Sequence, residues 1–220
     1  MPAIFSPPSL SPRRHAQDPA AVVSMARFFS PRSSMEPDQL YASADVLFTV
    51  LHEKRIPHVL VGGLALLFHA EARNTEDVDL IVALPDIANL PGLIIEEQNE
   101  WFAKASCGPL RVDLLFTVNP LFAHVAAIHA KPRTFRSHTV SVATPEGLLL
   151  LKLFALPSLY RQGQTARAAL YESDIALLLL ADPIPDANLL DTLRPHLIES
   201  DIHALAEVLR DVRTRLARKF

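Results

Sequence analysis

Asp77 and Asp79 lie two residues apart in the run Asp77-Val-Asp-Leu-Ile-Val82, where carboxylates alternate with apolar side chains as they do on a β-strand. On a strand, positions i and i+2 share a face and stand about 6–7 Å apart along the chain. Two acids held together in a partly buried place repel one another and raise a pKa unless a cation neutralises them, and hard oxygen donors suit Mg²⁺ or Mn²⁺. Asp113, in Arg111-Val-Asp-Leu-Leu-Phe116, supplies a third carboxylate from another predicted strand, which a sheet could set beside the first two. Three acids on adjacent strands can hold two ions. Such a pair stabilises both the attacking and the leaving oxygen of an in-line displacement at phosphorus.

A D-x-D pair alone is a weak signal, since such pairs are common on solvated strand ends. Gly62-Gly63 strengthen it. They fall between a predicted strand, His58-Val-Leu-Val61, and a predicted buried helix over Leu64 to Ala70. Backbone N–H groups at such a turn can face phosphate oxygens, although on their own these glycines would more often serve only a tight turn. Other polar residues have plain readings beside the functional ones. Lys152, flanked by leucines, either reaches a phosphate or snorkels from a buried helix. His69, on an apolar helix, reads as a core histidine with its hydrogen bonds met. Arg73 reads equally as a phosphate contact and as an exposed loop arginine. The basic C-terminus, with Arg210, Arg213, Arg215, Arg218 and Lys219, spreads its charge over a solvated helix, and an RNA-contacting patch is the sharper alternative.

The elements that would position these groups are readable from periodicity. Residues 1–35 are rich in Pro, Ser and Arg without sustained apolar spacing and read as a disordered tail. Leu40, Ala44, Leu47, Phe48 and Leu51 recur at helical steps from Pro37 to about Arg55, and Pro57 stops that helix. Strands follow at 58–61, at 77–82 and in a hairpin that turns at Cys107-Gly108-Pro109 into Arg111–Phe116, with a further strand at Thr139–Ala143. After Thr144, placed as an N-cap with Pro145 at the first helical position, the pattern is helical only: Leu148 to Leu156, Ala166 to Ala181, Asp186 to Leu193 and Ile202 to Leu216, with prolines 157, 183, 185 and 195 as separators. The predicted fold class is α/β, with a small mixed sheet flanked by helices over 36–144 and a C-terminal helical module over 145–220. No internal repeat is present.

The 220 residues are half apolar and about a fifth charged, enough for a real core and against global disorder. A net charge of −3 provides no overall field toward nucleic acid or an anionic membrane. The lone Cys107 excludes an intramolecular disulfide and a multi-cysteine metal site, which fits a reducing, cytoplasmic setting. The longest apolar stretches are shorter than the roughly 18 residues of a membrane span.

Two segments together carry a family resemblance. Val61-Gly-Gly-Leu-Ala-Leu-Leu-Phe-His69 followed by Arg73-Asn-Thr-Glu-Asp-Val-Asp-Leu80 resembles the signature of the DNA polymerase beta-like nucleotidyltransferase superfamily, and looks closest to its AbiEii-type toxin members. Arg111–Leu115 is similar to the strand that supplies the third acid, and Ala143–Lys152 to the helix opening the following helical part, so the likeness covers about residues 38–182. The resemblance implies transfer of a nucleoside monophosphate from an NTP such as ATP. In that role Asp77 and Asp79 would bind both of two Mg²⁺ (or Mn²⁺) ions and Asp113 one, while assisting deprotonation of the acceptor. Gly62 and Gly63, with Arg73, Thr75 and Lys152, would hold the nucleotide. Asp174 resembles an acid that follows this lysine in the toxin-like group. The acceptor would be RNA, a protein or a small molecule, and the toxin-like look implies an antitoxin or other partner protein. The chain departs from the pattern in having Gly62-Gly63 where many members have Gly-Ser, and in the polar stretch Arg161–Arg167 before the acid. Two other classes compete: a noncatalytic binding or toxin–antitoxin module of the same fold, for which the full acid set is unnecessary, and a D-x-D glycosyltransferase, which leaves Gly62-Gly63 and Asp113 unexplained.

Overall fold

A computed structural model describes residues 36–71, 75–87 and 90–218. The expected disordered tail over 1–35 lies outside the described residues. The first helix, α1 (Pro37–Glu53), starts with Pro37 at a position whose N–H needs no partner, and buries the stripe Leu40, Ala44, Leu47, Phe48 and Leu51. Strand β1 (His58–Val61) leads straight into α2 (Gly62–Leu66). That helix is shorter than the expected 64–70: it begins at the glycines and closes in hydrogen-bonded turns, with the His69 and Ala70 N–H groups both donating to the Leu66 carbonyl.

Strand β2 (Asp77–Val82) is followed by the short α3 (Leu84–Ile87), then by β3 (Leu93–Gln98), β4 (Phe102–Cys107) and β5 (Leu110–Phe116). Asn119 caps α4 (Pro120–Ile128), its side-chain oxygen accepting from the Leu121 N–H at 3.0 Å. Strands β6 (Ala130–Phe135) and β7 (His138–Ala143) complete one seven-stranded sheet in the order β3-β4-β5-β2-β1-β7-β6. The sheet is mixed: β2 runs parallel to β5 and β1 parallel to β7, while the remaining neighbours are antiparallel. The apolar β1 and β2 sit at its centre, as strands covered on both faces must.

Thr144 caps α5 (Pro145–Arg161), accepting from the Gly147 N–H at 3.2 Å. Every residue of α5 from Gly147 to Leu159 is buried, which is what a helix apolar on all sides requires. Pro157 was expected to end this helix and instead lies inside it. It removes one i−4 bond, and burial on every side keeps the segment helical regardless. The chain continues as α6 (Thr165–Ala181), α7 (Asp186–Leu193), a 3₁₀ turn at Arg194–His196 and α8 (Glu199–Ala217). One hydrophobic cluster runs from Leu40 through the sheet to Val212, with α5 touching β7, α2 and α4 on one side and α6, α7 and α8 on the other. Three of the C-terminal arginines pair with acids of these helices: Arg213 with Asp186, Arg215 with Glu172 at 2.9 Å and Arg210 with Glu207 at 3.6 Å. Among the described residues no helix is long and apolar enough to cross a membrane.

Candidate active site

Parallel pairing of β2 with β5 puts Asp79 opposite Asp113 and Asp77 opposite Arg111. Asp79 and Asp113 consequently stand side by side on one face, about 4.8 Å apart across the ladder, with Asp77 one pleat further along. On the other flank β1 ends with Val61 opposite Asp79, so the next residue arrives beside the Asp79 carboxylate. That residue is Gly62, at φ +65°, and a Cβ there would overlap the carboxylate of Asp79. A Cβ at Gly63 would overlap the side chain of Thr75, whose hydroxyl donates to Asp77 Oδ1 at 2.9 Å. Each glycine leaves room for one part of the acid group: Gly62 for Asp79, Gly63 for the threonine that orients Asp77.

Asp79 is only 8 % exposed. Burial, and then the neighbouring Asp77 and Asp113, hold its carboxyl well above the usual range, against the pull of Lys152 and Arg167. Asp113 is pushed up to about 7 by burial and by Asp77, against Lys104, Arg111 and Arg167. Three carboxylates crowded in this way are unfavourable as bare anions, and their donor chemistry fits a hard divalent cation that would neutralise them. Among the described residues no three His, Cys, Asp or Glu side chains already form a ready-made ion site, so the carboxylates would have to converge on an ion by side-chain rotation.

Helices α5 and α6 pack on one another beside the sheet. Lys152 does not snorkel: it is 6 % exposed, and its ammonium donates to Asp174 Oδ2 at 2.7 Å while lying 4.6 Å from the centroid of the Tyr171 ring. Asp174 is itself buried, so the pair bridges α5 and α6 inside the protein. Arg167, half-buried on α6, carries a charge that favours the ionised forms of Tyr171, Asp79 and Asp113. Burial, the first cause, raises the Tyr171 pKa above that of an ordinary phenol. His69 has the core role expected of it, Nε2 lying 2.7 Å from the Ala143 carbonyl oxygen.

The structure thus brings together Asp77, Asp79, Asp113, Gly62, Gly63 and Thr75, with Lys152 and Asp174 on the adjoining helices. Arg73 lies outside the described residues. Sequence reasoning missed Arg167 and Tyr171. The available signal was their helical spacing from Asp174, since positions i, i+4 and i+7 share a face.

No protein-family model matches the chain, and no curated protein does. Solved structures do match. The chain is similar to an antigenic nucleotidyltransferase-like protein from Paracoccidioides brasiliensis, at 18% identity over 84% of this chain and 94% of that one, with a TM-score of 0.58. It is similar also to ANT(2")-Ia in complex with adenylyl-2"-tobramycin, at 11% identity over 76% of this chain and 97% of that one, with a TM-score of 0.52. The solution structure of the antibiotic-resistance factor ANT(2'')-Ia matches at 12% identity over 84% and 98%, with a TM-score of 0.50. At such identities the likeness is one of fold. The chain has the nucleotidyltransferase fold, and it spans nearly the full length of these three structures.

Proposed function

We propose that this protein transfers a nucleoside monophosphate from an NTP to an acceptor hydroxyl or phosphate and releases pyrophosphate. The observation that carries the reading is the in-register pair Asp79 and Asp113 on parallel strands, with Asp77 held on the same face by Thr75. A bound pair of Mg²⁺ or Mn²⁺ ions would supply charge neutralisation at the attacking and leaving oxygens, and Asp77, Asp79 and Asp113 are the residues that would hold them. Gly62 and Gly63 present bare backbone beside the acids, where phosphate oxygens could approach. Asp113 lies at the outer side of the group and would take the proton of the acceptor as its oxygen bonds to the α-phosphorus. The bond from that phosphorus to the bridging oxygen breaks, and the electron pair leaves with pyrophosphate. Burial of the acids strengthens every such interaction by excluding water.

The acceptor belongs to the same proposal. The solved structure with adenylyl-2"-tobramycin shows that a protein of this fold can hold an adenylylated small molecule, and RNA is the alternative carried by the toxin-like motifs. Incubating the protein with each α-labelled NTP, Mg²⁺ or Mn²⁺ and separate pools of RNA, protein and small metabolites tests both points. Label is expected in one pool, and lost with Asp77→Ala and Asp79→Ala. Absence of transfer together with absence of metal-dependent NTP binding would overturn the reading.

A further inference from the structure

Thr75 and Glu76 come immediately ahead of Asp77, the first residue of β2. Thr75 is 5 % exposed and meets Asp77 twice: its hydroxyl lies 2.9 Å from Oδ1 and 3.4 Å from the backbone carbonyl oxygen. Gly63 backs this contact, since a Cβ there would overlap the threonine hydroxyl. Glu76 is engaged differently, accepting from Arg111 Nη2 at 3.0 Å. Arg111 is the residue directly opposite Asp77 in the β2–β5 ladder. Their side chains therefore leave the same face of the sheet about 4.8 Å apart, a spacing across which an arginine and a carboxylate can pair. The guanidinium lies with Glu76 instead, in a pair whose two side chains are 26 % and 37 % exposed.

We propose that Thr75 and Glu76 are positioning residues that deliver Asp77 to a divalent cation as an oriented carboxylate with no resident positive charge: Thr75 fixes one oxygen, and Glu76 keeps Arg111 off the acid. The inference rests on the nucleotidyl-transfer reading, and it gives Thr75 a role other than the nucleotide contact that the family resemblance implies. A threonine hydroxyl has one hydrogen to give, and the oxygens of an ionised phosphate only accept. With that hydrogen on Asp77, none is left for a phosphate. The neutrality of the donor matters as well. A lysine or arginine bound to Asp77 would neutralise it and would have to be displaced before an ion could bind, whereas a hydroxyl holds the side chain and leaves its charge whole. Arg111 is the cation placed to cause that obstruction. An acid one residue before Asp77 engages it at small energetic cost, because the Glu76–Arg111 pair is partly exposed.

The test is Mn²⁺ binding by the full-length chain, followed by loss of the free-ion electron paramagnetic resonance signal, with and without the α,β-methylene analogues of the four NTPs, and with a melting curve in chelator for every variant. Thr75→Val keeps the shape and removes the hydrogen. It is expected to weaken Mn²⁺ binding by about tenfold or more, as loss of a hydrogen bond to a charged group does, and Thr75→Ser to retain wild-type affinity. A residue that served folding alone would lower the melting temperature and leave the Mn²⁺ affinity of the folded protein intact. Should Thr75→Val not fold, Thr75→Ala makes the same comparison. Glu76→Gln should weaken binding a few-fold, on the order of a surface ion pair, with the loss returned when Arg111→Gln is added. Wild-type Mn²⁺ affinity in either folded single variant, or a Glu76→Gln loss that Arg111→Gln does not return, would overturn the inference and leave the nucleotidyl-transfer reading standing. If the unaltered protein binds no Mn²⁺ even with an NTP analogue present, both fall together.

Discussion

Asp113 sits where a carboxylate is costly to ionise, and this gives the metal-free protein a pH dependence of definite sign. Its folded pKa of about 7 lies above the unfolded value of about 3.9, so the folded state keeps a proton that the unfolded chain has lost. This group favours folding at low pH, and its contribution disappears as pH rises from about 4 through about 7. In chelator, the melting temperature of the wild type should fall across that window relative to Asp113→Asn, whose amide does not titrate. A difference between the two proteins that stays constant with pH would contradict the assignment. Gly62 makes a second prediction at this scale. Gly62→Ala must place a Cβ at φ +65°, costing about 1–2 kcal/mol for the left-handed backbone alone, and must also push the Asp79 carboxylate aside. Urea titration should show a loss of at least that size, and nucleotidyl transfer should fall by about 100-fold or more, as when a transition-state contact is removed; near-normal activity would refute the close approach. The Asp-x-Asp pair was legible because strand alternation exposes it to a single-residue reading. The reason for Gly62 was not, because its neighbour Asp79 is seventeen positions away and meets it only through the pairing of β1 with β2.

Helix α5 is held to α6 by an ion pair that its own burial demands. With every residue from Gly147 to Leu159 buried, Lys152 must find an internal partner, and Asp174 is that partner. Lys152→Met should destabilise the protein by about 3–5 kcal/mol, because the buried Asp174 carboxylate loses its ammonium partner, whereas replacing both residues by apolar ones should return most of the loss. Chemical denaturation of the single and double variants measures this. Equal stability of Lys152→Met and wild type would show that the bridge is not the link between the helices. At this scale the sequence was readable where period was long or alternation clean, as in α1, β2 and the helices after Thr144. It was unreadable at the margins. Strand β6, Ala130-Lys-Pro-Arg-Thr-Phe135, sits at a sheet edge, with Lys131, Pro132, Arg133 and Thr134 exposed; edge strands carry charge and proline for good reason, and that composition hides the strand. Strand β3, at the opposite edge, exposes Ile94 and Ile95 and so lacks an alternating pattern. Pro157 misled because burial on all sides outweighed its breaking tendency.

At the scale of the whole molecule, the sheet and the helices share one core, and α5, packed on β7 and on α6, joins the sheet that carries the acids to α6. A net charge of −3 with three carboxylates at the site means that an anionic nucleotide is not drawn in by the overall field, and local cations must hold it. The mixed sheet followed by helices was legible from the switch in period at Thr144, and the fold-level likeness to solved nucleotidyltransferase structures agrees with it. Arg167 and Tyr171 were legible only as residues sharing the Asp174 face of α6 by spacing, and the packing of α6 on α5 could not be read from the sequence. The central claim is that the bond broken is the one between the α- and β-phosphates. The direct measurement is an incubation of the protein, Mg²⁺ and its responsive acceptor pool with NTP labelled at both the α- and γ-phosphates. The account predicts α-label on the acceptor, γ-label released as pyrophosphate in equal amount, and neither with Asp79→Asn. Label from the γ-position on the acceptor, or released as orthophosphate, would contradict it.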